Sequence, residues 1–537
     1  MRHIIIVGGG SAGWLTAGII ASRFQSTDIS ASKPKQTCDS PSQNEMHSDQ
    51  LAGLKVTVIE SPDIPTIGVG EGTWPSMRTT LKSIGISETD FFRECDVSLK
   101  QGTRFNGWVN DSTPHYHHPF MLPAGFGDIN LAEHWLEFSE QVSFADAVSS
   151  QGIISDKGLS AKQISTAEFA FNLNYGYHLD AGKFSNFLRQ HCIEKLNVVH
   201  ISDHVSEVVN KHLGDIEYIV AKHHGQLHGD LFIDCTGFNA HLIDKHYAVP
   251  FKSVSNVLFN DRALAVQMPY HENQNAKSST WSSAQSCGWI WDIGLSSRRG
   301  IGYVFSSQHC SDEKALKELK SYLKVEFSKP TLNEIEPRTL NFEPGYRSEP
   351  WHKNCVAIGL SGGFVEPLEA SALVLVETAA KIVANNLSAA FNAMPIVAKQ
   401  FNTKLNHHWL QIVDFLKLHY VLNQREDQAY WRDHLDSNNI PDSLSEALEV
   451  WKYRTPWQQD APRSDELFSS ASYQYVLYGM GYKTQQSSVE YRNKTEQQQK
   501  AQQYFLENRQ RITQLISSLP SNLELNQKIR RYRFQRV

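Results

Sequence analysis

Gly8-Gly9-Gly10-Ser11-Ala12-Gly13-Trp14 places a GxGxxG pattern between the apolar run Ile4–Val7 and a helical stretch through Leu15, Ala17, Ile19 and Ile20. Strand, glycine turn and helix in that order suit a dinucleotide pyrophosphate. Gly8 permits the tight turn, Gly10 lets the backbone approach the phosphates, and Gly13 packs helix on strand, while the free amides of the helix start face the anion. Glu60 closes a second strand, Lys55-Val56-Thr57-Val58-Ile59, where its carboxylate can accept from ribose hydroxyls. The usual gap between glycines and acid is about 20 residues. Here it is longer, and the excess lies between Gln25 and Gly53 in a Ser-, Gln-, Asp- and Pro-rich tract without apolar period. That tract reads as a mobile surface insertion. The alternative for the glycines is a structural turn that holds no nucleotide.

Three other places carry chemistry-bearing patterns. His115-Tyr116-His117-His118 has His-x-His spacing, as metal ligands do, but no carboxylate or cysteine completes such a site nearby, so no metal is expected. Pro367 suits the first position of a helix and Glu369 the third, where an acid is favoured and where backbone amides can also receive an anion. Trp289 and Trp291 alternate with Ile290, so a strand would carry both indoles on one face. Two core tryptophans would look the same.

These residues need elements to hold them. Gly229–Gly237 and Cys355–Gly359 each read as a buried strand ending in a small-residue turn, further pieces of the same dinucleotide fold, and Gly302-Tyr303-Val304-Phe305 suggests antiparallel strands between them. After about residue 375 the pattern turns helical, with Leu405, Trp409, Ile412, Val413 and Leu416 at helix spacing. The expected fold is α/β: a Rossmann-like, FAD-binding type of flavoprotein monooxygenase fold with mixed sheets and an added C-terminal helical module. A discontinuous flavin module would occupy residues 1–390 and a mainly helical substrate-side module residues 391–537. The polar Thr484–Gln503 stretch and the basic end (Lys528, Arg530, Arg531, Arg533, Arg536) read as a solvated helix and an electrostatic tail.

Composition excludes several classes. The 537 residues are 40% hydrophobic and 20% charged with a net charge of −6, an ordinary folded protein and not a coat for nucleic acid or an anionic membrane. No apolar run reaches the roughly 18 residues of a membrane span, and Met1-Arg2-His3 is too short for a signal peptide. Seven scattered cysteines without a CxxC pair indicate neither disulfides nor zinc and suit a reducing cytoplasm. Aromatic residues reach 11% of the chain, enough to line a pocket for a flat ligand as well as a core.

Taken in order, these motifs resemble the flavin-dependent halogenases of the tryptophan halogenase type over most of the chain. GGGSAGW at Gly8–Trp14 is followed by Glu60–Thr73, which is similar to the strap lying along the flavin and containing Gly68, Val69, Gly70 and Glu71. Arg93-Glu94-Cys95, Lys100 and Arg104-Phe105-Asn106-Gly107-Trp108 look like the segment that carries the catalytic lysine. Tyr177–Asp180, Asp234–Phe238, Gly359 with the following glycines, Phe364–Glu369, Phe415–Tyr420 and Tyr430-Trp431-Arg432 continue the series. Trp289–Gly294 resembles the WxWxIP motif, with glycine where proline is expected.

The resemblance implies a division of labour. In the family, reduced FAD and oxygen form a C4a-hydroperoxide, halide attacks it, and the resulting hypohalous acid is guided to a lysine. Lys100 matches that lysine, either hydrogen-bonding the acid or becoming a haloamine. Glu369 matches the carboxylate that takes the proton from the arene intermediate or orients the acid; a purely structural helix-start acid is the other reading, and the two can coexist. Chloride or bromide would sit on the amides of Ser371 and Ala372, although Ala370-Ser371-Ala372 replaces the usual Ser-Thr-Gly. His118 and Phe120 resemble the His-x-Phe pair of the substrate wall, joined by Tyr430 and Trp431; Trp14, Trp289 and Trp291 would stand on the flavin side. The clamp for free tryptophan cannot be placed within Glu466–Leu477, so indole or another electron-rich arene is at least as good a substrate.

No second strand–GxGxxG–helix follows, so reduced FAD is expected from a separate flavin reductase by diffusive transfer, with no nucleic acid or membrane partner and a homodimer left open. The leading expectation is an FADH2-dependent halogenase of the cytoplasm. A flavin-dependent aromatic hydroxylase of the same fold and a non-catalytic flavin-binding protein are its rivals.

Overall fold

A computed structural model of the protein describes residues 2–24, 53–64, 70–110, 112, 115–270, 275–325, 335–485 and 494–535. The expected insertion, apart from Gly53, and the strap residues Gly68 and Val69 lie outside the described residues.

The apolar run near the start forms the strand Arg2–Val7 at the centre of a six-stranded sheet. It pairs in parallel with Leu54–Glu60 on one side and Leu231–Asp234 on the other, with Ile4 opposite Val56 and Leu231. Val199–Ser202 and Cys355–Ala357 extend the sheet in parallel, and Trp351–His352 closes one edge antiparallel. The helix Ser11–Arg23 is buried continuously from Gly13 to Ala21 because it lies between sheet and protein, not on the surface. The expected dinucleotide-binding strands are therefore present.

A seven-stranded mixed sheet stands beside it. Its order is Arg338–Asn341, Arg262–Pro269, Arg298–Phe305, Gly288–Gly294, Thr280–Gln285, Gly102–Asn106 and His115–Pro119. All neighbours are antiparallel except Thr280–Gln285 with Gly102–Asn106. Glu71–Gly72, Gly176–Leu179 and Ser98–Lys100 form a small antiparallel sheet whose third strand ends at Lys100.

The chain then becomes helical. Ala372–Val421 is one long element broken at Ala393, just ahead of Pro395, as a proline that cannot donate to the ladder requires. The expected boundary at residue 390 falls inside this element. It is also long and apolar enough to cross a membrane, but 56% of its most apolar window is buried within the protein.

The C-terminal end is not simply an electrostatic tail. Leu525 and Ile529 give the helix Asn522–Tyr532 a buried face, and Phe534 packs edge-on against Phe92 at 5.6 Å. Asn522 is buried and donates to Leu99 O at 3.1 Å and Ser278 Oγ at 3.0 Å. The last helix thus holds the strand that bears Lys100. Replacing this donor leaves a buried carbonyl unsatisfied, which costs about 1–3 kcal/mol. Asn522→Ala should lower the urea midpoint accordingly at unchanged m-value; an unchanged midpoint would show that the contact stabilises nothing.

Candidate active site

The glycine turn is built for a close neighbour. Gly8 has φ +114°, and a Cβ there would stand 2.2 Å from Cys235 O; a Cβ on Gly13 would stand 1.9 Å from Gly8 O. Around Gly10, by contrast, nothing lies within 4 Å of a Cβ position. No side chain caps the helix at Gly10, and its first turn holds no acid. Open space in front of uncapped amides is what a pyrophosphate needs, so these residues fit the phosphates of FAD. Gly359, at φ +83°, brings its backbone against Ala12, where a Cβ would be 2.8 Å from Ala12 Cβ.

Glu60 ends its strand as expected, with Oε1 2.7 Å from His200 Nε2 and 3.3 Å from Arg189 Nη1. Trp14 is different from expectation. It is fully buried, with its Nε1–H reaching 3.4 Å to Glu60 Oε2, so it positions the acid and presents no free face to the cradle. Gly70 lies beside Ile293 of the tryptophan strand and Leu295 just beyond its end. Next to it, burial pushes the Glu71 carboxyl up to about 7, and among the described residues it has no hydrogen-bond partner.

Lys100 and Glu369 converge from opposite directions. Lys100 ends the strand Ser98–Lys100 and is 1% exposed. Its Nζ lies 5.5 Å from the centre of the Phe120 ring. A Cβ on Gly72 would meet Lys100 Nζ at 3.0 Å and Ala370 Cβ at 3.3 Å, so this glycine is the space between the lysine and the residue following Glu369. Burial pulls the Lys100 ammonium down to about 8, partly opposed by the charge of Glu369.

Glu369 is also buried, yet its carboxyl behaves in the opposite sense. Burial pushes it upward, but His118 and His419 outweigh burial and hold it at about 2. His118 Nδ1 donates to Glu369 Oε1 at 3.0 Å. His419 Nε2 stands 3.1 Å from the same oxygen, too far off line for a good hydrogen bond. Tyr116 donates its hydroxyl to His419 Nδ1 at 2.6 Å, which places the ring proton on Nε2, facing the carboxylate. Trp74 Nε1–H donates to the Glu369 carbonyl at 2.7 Å. Ala370 then takes φ +53°, and Ser371 caps the long helix without a side-chain bond. Its first turn carries no acid, so the amides at Ser371 and Ala372 remain available to an anion.

The expected His-x-Phe pair lies beside Glu369 and Lys100. His118 and Phe120, on either side of Pro119, both face the site, the first on Glu369 and the second on Lys100. Tyr430 and Trp431 do not join them. Tyr430 donates to Asn260 Oδ1 at 3.1 Å and Trp431 Nε1 to Gln285 O at 2.8 Å, within a buried cluster around Glu366. That carboxylate accepts from Asn260 Nδ2 at 2.5 Å, Trp289 Nε1 at 2.6 Å and Tyr420 Oη at 2.8 Å, consuming the polar groups that a ligand would have used. Trp289 is thereby fixed in the interior, 6.3 Å from Trp291.

Other aromatic rings lie next to His118. Phe415 lies 5.5 Å from His118 and stacks on Phe468 at 3.8 Å, and Phe468 meets Trp74 edge-on at 5.2 Å. Phe415 and His419 are one helical turn apart on the same face, a spacing visible in the sequence; Trp74 and Phe468 carry no comparable signal. The His-x-His pair is a further departure, because a carboxylate does reach it: Asp156 Oδ2 is 3.1 Å from both His115 Nε2 and His117 Nε2.

The sequence profile of the tryptophan halogenase family matches residues 45–496. The chain belongs to this family. Like its relatives, this tryptophan halogenase family member is a flavin-dependent enzyme. A solved tryptophan halogenase of Shewanella frigidimarina is 48% identical, covers 100% of this chain and 99% of its own, and superposes with a TM-score of 0.92. The 7-chloro-L-tryptophan 6-halogenase KtzR of Kutzneria sp. (strain 744) is 31% identical over 98% of this chain and 99% of its own length. The flavin-dependent halogenase BrvH of Brevundimonas sp. is 28% identical, covers 98% and 99% of the two chains, and has a TM-score of 0.80.

The buried lysine of this halogenase has a stability signature. The folded protein takes up the Lys100 proton only below about pH 8, while the unfolded chain holds it up to about 10.5. Between those values the unfolded state binds more protons, so stability rises with pH. Lys100→Met should therefore be more stable than the parent at pH 7, by up to about 3 kcal/mol. Its advantage should shrink as pH rises from 8 to 10.5. Denaturant melts across that range check this; an advantage independent of pH would mean that the ammonium is not desolvated.

Proposed function

We propose that the protein halogenates an indole-like or other electron-rich aromatic, using reduced FAD, O2 and chloride or bromide. The observation that carries the reading is the convergence of Lys100, Glu369 and an aromatic wall in one buried place, beside a cradle that fits FAD. When bound, reduced FAD activates O2 and, with halide, supplies hypohalous acid. The chain's own residues do the rest.

The glycine turn and the uncapped amides at Ser11 and Ala12 hold the pyrophosphate, with Gly359 closing against the helix start and Glu60 receiving ribose hydroxyls. The amides of Ser371 and Ala372 hold the halide. Lys100 receives hypohalous acid; near neutral pH its ammonium donates a hydrogen bond and polarises the oxidant, while the neutral amine can attack the halogen, breaking the halogen–oxygen bond and releasing water, to give a haloamine. Burial among apolar groups keeps bulk water from consuming the oxidant. Glu369, held ionised by His118 and His419, faces the arene and accepts its ring proton. Since the cationic arene intermediate is strongly acidic, a base of low pKa is sufficient.

Phe120, His118 and Phe415 present flat faces to a planar ring, and Trp74 ties the wall to the backbone of Glu369. The relatives named for tryptophan make an indole the first substrate class to test. Reduced FAD comes from a separate reductase by diffusion.

The test combines the protein with a flavin reductase, NADH, FAD, O2 and bromide or chloride over a panel of indoles and phenols. Mass spectrometry should show the halogen isotope pattern in a product; hydroxylated products alone would overturn the reading in favour of a hydroxylase. Lys100→Ala should abolish halogenation while flavin oxidation and peroxide release continue. Glu369→Gln should lower kcat by about 10²–10⁴-fold, the range for a lost general base. A Lys100→Ala enzyme with full activity would remove the lysine from the mechanism.

A further inference from the structure

A second constellation lies one strand position from the active site and serves no purpose in the chemistry above. His115 and His117 alternate on the strand His115–Pro119, so their rings share one face, while His118 turns to the other face and holds Glu369. The helix Gln151–Asp156 brings Asp156 against the shared face. Both Nε2 atoms approach the same carboxylate oxygen, Oδ2, at 3.1 Å. A zinc-type ion with bonds of about 2.0–2.2 Å in tetrahedral geometry separates its ligand atoms by about 3.3 Å. Each nitrogen thus stands close to coordination distance from the shared oxygen, and all three donor atoms lie within 4.8 Å of one another.

Burial and electrostatics agree with that geometry. His117 is nearly enclosed, with 6% of its side chain exposed, whereas His115 and Asp156 keep 26% and 29%, leaving a solvent-facing side for a fourth ligand. Gly152 makes the close approach possible: a Cβ there would stand 3.0 Å from His117 Cδ2 and 3.1 Å from Asp146 Oδ1. Burial works against ionisation of Asp156, but hydrogen bonds from His115 and His117 and the charge of Arg104 outweigh it and hold the carboxyl well below the usual range.

We infer that His115, His117 and Asp156 form a binding site for a divalent transition metal of the zinc class, with water as fourth ligand. Two nitrogens and one carboxylate oxygen favour Zn2+, Co2+, Ni2+ or Cu2+ over Mg2+ or Ca2+, which prefer all-oxygen sets. Arg104 is the determinant of affinity. In the metal-free site Arg104 Nη2 donates to His115 Nδ1 at 3.2 Å, so the ring proton is on Nε2. Coordination moves that proton from Nε2 to Nδ1, with no net gain or loss. His115 Nδ1 thereby changes from acceptor to donor and must part from Arg104. The guanidinium keeps its other contacts, to Asp156 Oδ1 at 2.9 Å and Asn106 Oδ1 at 2.9 Å, and its position over Trp281. A bound ion would tie helix to strand directly behind His118, so occupancy would stiffen the support of Glu369.

Cobalt titration of chelator-treated, desalted protein provides the test, because tetrahedral Co2+ shows intense visible d–d absorption and octahedral Co2+ does not. One Co2+ per chain with a tetrahedral spectrum is expected, and Zn2+ should displace it and raise Tm. His117→Ala and Asp156→Asn should each weaken binding at least 100-fold. His115→Gln, at a partly exposed position, tests the site without emptying the interior, and it too should abolish the Tm shift. Arg104→Gln should tighten binding several-fold by removing the opposing donor and its charge. Binding that survives in a His115→Gln/His117→Ala variant, a purely octahedral spectrum, or no stoichiometric binding in the parent would each overturn the assignment.

Discussion

Opposite charges buried in one site normally find each other, and here they are kept apart. Neither Lys100 nor Glu369 is exposed beyond 5%, yet no ion pair joins them among the described residues. The desolvation of each charge must then be met separately. Glu369 meets it with two imidazoles and drops to about 2; Lys100 has no such partner and drops to about 8. One group is a dependable anion and the other a cation close to losing its proton. A direct salt bridge would have fixed both charges and left neither free for an incoming molecule.

Much of the fold is the means of keeping that separation. Lys100 hangs from the small sheet, its strand held by Gly176–Leu179 and by the last helix. Glu369 belongs to the turn before the long helix, where Ala370 takes a left-handed conformation and Trp74 holds the carbonyl. Gly72 lies between Lys100 and Ala370, where a Cβ would stand 3.0 and 3.3 Å from them. His118 and His419 come from a strand and a helix that are distant in sequence and meet at this carboxylate. The site is thus a meeting point of four elements, each with a separate anchor in the core.

Legibility in the sequence followed the range of the interaction. The glycine turn, the parallel strands and the acid of Glu60 are local patterns, and all appear where the periodicity and motif place them. Lys100 was reachable only through ordered resemblance; the helix-start reading of Glu369 fails, because the helix begins at Ala372 and leaves Glu369 in the turn before it. Tyr430 and Trp431 show the failure: two aromatics at a family landmark look like a pocket wall, but Glu366 gathers their neighbours' hydrogen bonds and draws them into the core. Phe468 and Trp74, which do approach the site, sit in a loop and at a turn where no period marks a face. Asp156 was invisible for the same reason, since a ligand reaching His115 from 41 residues away needs the sheet to be folded first.

The donor that satisfies the carbonyl of Leu99 lies 423 residues further along the chain. On the ribosome, therefore, the strand ending in the reactive lysine has its neighbours in the sheet long before it has its final brace. This brace arrives with the last helix, after the glycine turn, Glu369 and the aromatic rings beside it have all been synthesised. Folding during synthesis can thus set the small sheet early, but Leu99 gains its buried donor only once Asn522 has been made.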